Sequence, residues 1–193
     1  MKRKFYQFGI SLLLFFGLLT GGTQAVTAAG AVVITGEGAP SLSAITVGDF
    51  SGVTLDGTTQ TTTLVLPSFT VTDATGTGAG WNVNLSATQF SEADPGTKTL
   101  STGSLTLTTA PDVALADTES SPTNTVTVAD AGPSATIDEG SGIKLLSAAV
   151  NGGMGSYTIG GTTPAVLTLT LKPKEVYETT YNSTLTFTVS TGP

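Results

Sequence analysis

The sequence predicts an all-β fold, an antiparallel β-sandwich or a barrel-like variant of it, with about ten short strands. Thr, Val, Ser, Gly and Leu dominate the chain, apolar and polar residues alternate in short runs, and Gly and Pro separate these runs. No stretch repeats its apolar residues with the 3.6-residue period of a helix, so we expect any helix to be one or two turns long.

Six runs show the alternation most clearly, with apolar residues on one face and Thr or Asn on the other. They are residues 69–71, 81–85, 105–107, 126–128, 167–171 and 185–189. Weaker runs lie at 32–35, 61–66 and 144–150. The Thr-, Asp- and Ser-rich stretch near 109–125 breaks the alternation, and we expect a long loop or an insertion there.

Residues 1–29 have the pattern of a signal peptide. Lys2, Arg3 and Lys4 supply the positive start, an apolar core follows at residues 8–19, and small residues offer cleavage near 25–29. The alternative is a transmembrane anchor, but the apolar core is short for crossing ~30 Å of hydrocarbon. We therefore expect secretion, with residues 30–193 forming a single β domain that does not span a membrane after cleavage.

The composition excludes several classes of function. The chain has no Cys and no His. The sequence after the predicted signal peptide contains four Lys and fourteen acidic residues, so its net charge is 4 − 14 = −10. Such a chain lacks the basic groups that grip nucleic acid, the residues of Cys- and His-based metal sites, and the residues of Ser-His-Asp or Cys-His catalysis. We expect no enzymatic activity, no cofactor, no metal and no nucleic-acid partner.

Three features that could carry chemistry favour structural interpretations. The glycine-rich residues 75–80 resemble a phosphate-binding loop but lie between two predicted strands, without a nearby Lys. Asp112, Asp117 and Glu119 could ligate calcium but lack the spacing of a calcium loop. The adjacent acids at 138–139 would point to opposite faces of a strand, which does not suit a glycosidase pair.

Two sequence blocks resemble the signatures of WxL-domain proteins, which are surface proteins of low-GC Gram-positive bacteria. The block FTVTDATGTGAGWNVNLSATQF at residues 69–90 resembles the first signature, and YNSTLTFTVSTGP at residues 181–193 resembles the second. The resemblance extends from about residue 31 to residue 193. It makes six signature residues the candidate binding motif: Trp81, Val83, Tyr181, Leu185, Phe187 and Val189.

The two tryptophan triplets of the family are both altered here. The first is Trp81-Asn-Val83, and the second is Phe187-Thr-Val189, without a tryptophan. The apolar bulk is retained in both. We expect the two signatures to lie on neighbouring strands, with Trp81 directed into the core. The orientation of Phe187 stays open at this point.

The resemblance implies non-covalent attachment to the cell wall, with peptidoglycan as the ligand. It also implies work alongside other WxL proteins and a membrane-anchored companion protein. The chain carries no LPxTG motif for covalent anchoring, so we expect it to be held at the cell surface by affinity. Its negative charge would be repelled by an anionic wall within a Debye length of ~10 Å, so binding should depend on short-range contacts.

Two functions therefore remain open. The leading hypothesis is a secreted, non-enzymatic wall-binding module that acts as a binding or scaffolding component of a surface complex. The alternative is a structural subunit that assembles with itself or with sister proteins through β-strand addition and is held at the surface by its partners.

Overall fold

The computed structural model describes residues 32–93 and 97–193, so the predicted signal peptide lies outside the described residues. The chain divides after Ile34, and the unit Thr35–Pro193 contains every strand named below. About 38% of the described residues are strand and 2% are helix, which confirms the all-β prediction.

The described part of this unit contains thirteen strands, somewhat more than the ten expected. They are β1 Ser41–Leu42, β2 Gln60–Val65, β3 Phe69–Asp73, β4 Trp81–Ala87, β5 Ser91–Glu92, β6 Leu105–Thr109, β7 Val113–Leu115, β8 Val126–Val128, β9 Ile143–Ala148, β10 Gly155–Ile159, β11 Val166–Leu171, β12 Tyr181–Asn182 and β13 Leu185–Thr191. A single turn of 3-10 helix lies at Thr123–Thr125.

The strands form four sheets in which every pairing is antiparallel. Their orders are β1-β3-β10-β7, β2-β11-β6, β12-β5 and β13-β4-β9-β8. None of them closes into a barrel within the described residues. We call β13-β4-β9-β8 the signature sheet, because β4 and β13 carry the two blocks identified in the sequence.

Alternation places the core on one face of each long strand. In β11, Leu167, Leu169 and Leu171 are buried, while the intervening Thr residues are half-buried. The same pattern in β3 buries Phe69 and Val71. Because burying such side chains stabilises a fold by roughly 1.5–3 kcal/mol each, one face of every long strand contributes to a shared core.

Two segments differ from a simple reading of local pattern. Residues 32–35, a weak strand candidate, form no strand, and Val32, Val33 and Ile34 are more than four-fifths exposed. β-Branched residues favour strands only where a neighbouring strand pairs with them. The predicted loop near 109–125 includes the short strand β7, whose residues pair with β10.

Candidate functional site

The first signature lies on β4, in the interior of the signature sheet. β4 pairs with β13 on one side and with β9 on the other. The side chains of Trp81, Val83 and Leu85 are completely buried. They are therefore inaccessible to a ligand at the surface, and any influence they have on binding passes through the fold.

Trp81 is held by a polar contact as well as by packing. Its indole Nε1–H donates a hydrogen bond of 2.7 Å to the carbonyl oxygen of Gly153. Its ring lies 6.1 Å from that of Tyr157, whose hydroxyl donates to the carbonyl oxygen of Ser121 at 2.6 Å. Burial raises the pKa of Tyr157 above its ordinary value of 10.0. The buried polar atoms of both rings thus have partners.

The second signature lies on β13, at the edge of the same sheet. The register places Val189 opposite Val83 and Phe187 opposite Leu85, so the two signatures form adjacent strands, as expected. The apolar side chains of β13 face the core but are only half-buried. Phe187 packs edge-on against Phe69, with ring centroids 5.7 Å apart. This settles the open orientation of Phe187 as inward.

The beginning of the second signature lines an open cleft of about 930 Å³, which we call the signature cleft. Tyr181 and Leu185 are among its lining residues. Most of the other lining residues belong to two segments, 48–55 and 176–183, which form its walls. The floor is apolar and is made by Leu64, Phe90, Leu100, Leu169 and Leu171.

The segment 48–55 carries no regular strand but is fixed at three points. Phe50 packs edge-on against Phe90 with ring centroids 5.9 Å apart. The hydroxyl of Thr62 donates to the carbonyl oxygen of Ser51 at 2.9 Å, and the amide of Gln60 donates to the carbonyl oxygen of Thr54 at 2.8 Å. This wall is therefore held by hydrogen bonds to β2 and by packing against the apolar floor.

Tyr177 is the most exposed aromatic side chain on the wall 176–183, with 50% of its surface accessible. The ammonium group of Lys98 lies 4.2 Å from the centroid of its ring, in cation–π geometry. The backbone N–H of Tyr177 donates to the hydroxyl of Tyr181 at 3.1 Å. The two tyrosines of this wall are thus linked to each other at the cleft.

The base of this wall is anchored by Glu175. The hydroxyl of Ser101 donates to its carboxylate at 2.6 Å and keeps the pKa of Glu175 below its ordinary value. The residues lining the cleft include the acids Asp49 and Glu178 and no Lys or Arg. The cleft thus combines an apolar floor with rims that carry two acids and, beside Tyr177, the ammonium of Lys98. This balance suits an uncharged polar ligand better than a strongly anionic one.

Two of the remaining acidic candidates, Asp138 and Asp112, accept several hydrogen bonds from the backbone. The carboxylate of Asp138, almost fully buried, accepts hydrogen bonds from three successive backbone N–H groups at residues 103–105. Asp112 accepts from the backbone N–H groups of Thr162 and Thr163. Among the residues that the structure describes, no three Cys, His, Asp or Glu side chains form a group that could hold a metal ion.

The glycine-rich turn at residues 75–80 also has a structural explanation. The carboxylate of Asp73 accepts hydrogen bonds from the backbone N–H and the hydroxyl of Thr75, at 3.0 and 2.6 Å. These contacts shape the connection between β3 and β4.

Within the described ranges, no helix has the length and apolar character needed to cross a membrane.

Sequence reasoning missed Tyr177, Phe50 and the segment 48–55 as parts of this site. Neither cleft wall shows the alternation that marks strands, and the two segments are more than a hundred residues apart in the chain. One signal was present in the sequence: Tyr177 lies in the polar stretch KPKEVYETT, where an aromatic residue has no strand face to occupy.

Comparison with known proteins identifies the family of the chain. No curated protein and no solved structure matches the chain. The model of one family, described as WxL domain surface cell wall-binding, matches residues 40–193, which is most of the chain. The chain therefore belongs to the WxL family of surface cell wall-binding domains.

Proposed function

We propose that this protein is a secreted, non-enzymatic module of the Gram-positive cell wall that binds peptidoglycan non-covalently through the signature cleft. The observation that carries the proposal is the cleft itself. It is a concave site in which the second signature reaches the surface, with Tyr181 and Leu185 in its lining. Concave sites with apolar floors and a few polar groups are the usual form of small-ligand sites.

The chemistry of the cleft suits a glycan strand with short peptides attached. The C–H faces of sugar rings pack against aromatic and apolar surfaces, and the exposed side chains of Tyr177 and Leu55 supply such surfaces in the cleft. Sugar hydroxyl and amide groups need hydrogen-bonding partners, which the side chains of Thr179, Thr180 and Asn182 offer along the rim.

The charge distribution favours peptidoglycan over teichoic acid as the ligand. The domain carries a large negative charge, and the two acids of the cleft, Asp49 and Glu178, outnumber the one ammonium beside it, that of Lys98. An anionic polymer would be repelled at contact distance, whereas a neutral glycan would not. We therefore expect binding to depend weakly on salt.

The six signature residues then divide into two roles. Tyr181 and Leu185 contact the ligand, because they line the cleft. The other four hold the fold that shapes the cleft, since they pack in or against the core and do not line the cleft: Trp81, Val83, Phe187 and Val189.

We extend the proposal to the setting of the protein at the cell surface. Here it acts as a scaffolding component beside other WxL proteins and a membrane-anchored companion. The support for this part is the family membership together with the signal-peptide pattern of the first 29 residues.

The test is co-sedimentation of the purified protein with peptidoglycan, with and without wall teichoic acid, across a salt series. We expect saturable binding to bare peptidoglycan with little change as salt is added. Tyr177→Ala should weaken binding by about tenfold or more, because exposed aromatic anchors often contribute above ~1.4 kcal/mol. The free energy of unfolding of the Tyr177→Ala variant should differ from that of the unaltered protein by less than about 0.5 kcal/mol, since Tyr177 is half-exposed.

The matched control is Leu115→Ala, which also shortens a large exposed apolar side chain, but away from the cleft. It should bind as the unaltered protein does. Equal binding by Tyr177→Ala and the unaltered protein would remove the cleft from the proposal. Failure of the unaltered protein to bind either wall preparation would contradict direct wall recognition.

A further inference from the structure

The outer edge of β13 has backbone groups without partners. The N–H of Thr88 donates to the carbonyl of Thr184, and the N–H of Gly192 donates to the carbonyl of Gly80, at 3.0 and 2.9 Å. Both bonds involve even-numbered residues, and the register of β13 with β4 is uninterrupted from one bond to the other. The even-numbered residues of β13 therefore direct their backbone groups to β4. The odd-numbered residues 185–191 therefore direct theirs outward, and within the described residues nothing hydrogen-bonds to them.

This edge lacks the devices that usually keep sheet edges apart. Those devices are charged side chains, proline, bulges and very short strands. β13 is seven residues long, carries no charge and no proline, and pairs with β4 without a register shift. The four strands of the signature sheet contain one charged residue, Lys144. The strong negative charge of the domain is thus absent from this sheet.

We propose that β13 is a self-association surface, at which two copies of the protein pair β13 with β13 in antiparallel orientation around a two-fold axis at Thr188. The inference does not rest on wall binding by the cleft. The pairing would join two four-stranded sheets into one sheet of eight strands.

The sequence of β13 is complementary to itself in this register. Phe187 lies opposite Val189 of the second copy on the core side, which is a favourable aromatic and β-branched pair. Thr188 lies opposite Thr188 on the outer side, and Thr186 lies opposite Ser190. The outward backbone groups of residues 185, 187, 189 and 191 all gain partners, because these residues form the hydrogen-bonded pairs of the register.

Another long strand with an outward edge, β2, does not fit β13 in the same way. The N–H of Leu66 donates to the carbonyl of Ala165, so the even-numbered residues at this end of β2 direct their backbone groups to β11. The backbone groups of the odd-numbered residues point to the outer edge. The edge-facing residues of β2, such as Thr63, have exposed side chains, whereas those of β13 point to the core. Pairing β2 with β13 would join a core face to a solvent face. Self-pairing of β13 keeps the core faces together.

The test uses a like-charge clash at the two-fold axis. In Thr188→Lys, two ammonium groups would lie directly opposite each other, and in Thr188→Asp, two carboxylates. We expect sedimentation velocity to show a reversible dimer of the unaltered protein that dissociates on dilution, and monomers of each variant alone. An equimolar mixture of the two variants should recover the dimer, because Lys then faces Asp.

The matched control is Thr127→Lys on β8, an exposed position at the opposite edge of the same sheet, which should leave the dimer intact. A monomeric unaltered protein at every concentration, a dimeric Thr188→Lys, or a mixture that stays monomeric would each overturn the proposal. A Thr127→Lys variant that is monomeric would also overturn it. Recovery in the mixture shows that both variants fold. Peptidoglycan binding should persist in both, which separates this test from that of the cleft.

Discussion

The two signature strands have similar sequences but occupy different positions in one sheet. β4 is flanked on both sides, and Trp81, Val83 and Leu85 are completely buried. Among the described residues, β13 is flanked on one side only, and Leu185, Phe187 and Val189 are half-buried. The difference arises from pairing rather than from local composition, since both strands alternate apolar residues with Asn, Thr or Ser.

This comparison assigns different work to the two strands. An interior strand with an indole hydrogen-bonded inside the core contributes mainly to stability. An edge strand with a free backbone and partly exposed apolar residues is available to partners. The missing tryptophan of the second signature fits this division, because Phe187 faces a less enclosed site and needs no partner for a ring N–H.

The largest effect should come from truncating the two aromatic residues in turn. Trp81→Ala should lower the free energy of unfolding by about 3–5 kcal/mol, because it leaves a core cavity. It also leaves the carbonyl of Gly153 without its donor. Phe187→Ala should cost about 1–2 kcal/mol, since the side chain is only half-buried. Urea unfolding of both variants measures the difference, and equal costs would refute the distinction between the strands.

The second prediction compares two glycines with positive φ, one beside each signature. Gly153 has φ +68, and an added Cβ would collide with the Cβ of Ala148 and lie 2.7 Å from Trp81 Nε1. Gly192 has φ +91 and nothing within 4 Å of an added Cβ. Gly153→Ala should therefore cost about 2–5 kcal/mol, from strain and overpacking together.

Gly192→Ala serves as the control, because it has the strain alone and should cost about 1–2 kcal/mol. Thermal unfolding of the two variants provides the measurement. If Gly192→Ala lowered the stability more than Gly153→Ala, close packing against Trp81 would not explain why residue 153 is a glycine.

The strands were predictable because alternation is local. The run at 167–171, for example, became β11 with the expected residues buried. Residues 32–35 have equally strong β propensity and form no strand, because a strand needs a partner that propensity does not supply. Propensity therefore predicts strands reliably only when pairing is also available.

The site was less predictable, because it depends on pairing between distant segments. Whether Phe187 lies in an interior or an edge strand is decided by the β4 register, which involves residues about a hundred positions earlier. The cleft joins the segments 48–55 and 176–183, neither of which has a periodic pattern. Tyr177 became a candidate only when the structure placed it beside Tyr181.

The smallest effect concerns the hydroxyl of Tyr157, which lies under Trp81. Tyr157→Phe removes its hydrogen bond to the carbonyl of Ser121, at a cost of about 1 kcal/mol at neutral pH. Burial raises the pKa of Tyr157 above 10.0, so the folded state holds the phenolic proton more tightly than the unfolded state. Its contribution to stability is therefore complete below about pH 10 and is lost as the pH rises through the raised pKa.

Urea unfolding of both proteins between pH 7 and pH 11 measures this contribution, because the groups that they share cancel in the difference. The difference in unfolding free energy between the two proteins should stay constant up to about pH 10 and then narrow. Above that pH the phenol of the unaltered protein ionises more readily in the unfolded state, which lowers the stability of that protein only. A gap that widens above pH 10 would mean that the ionised phenolate is stabilised in the core. That result would contradict the enclosed, carbonyl-bonded setting that distinguishes the first signature from the second.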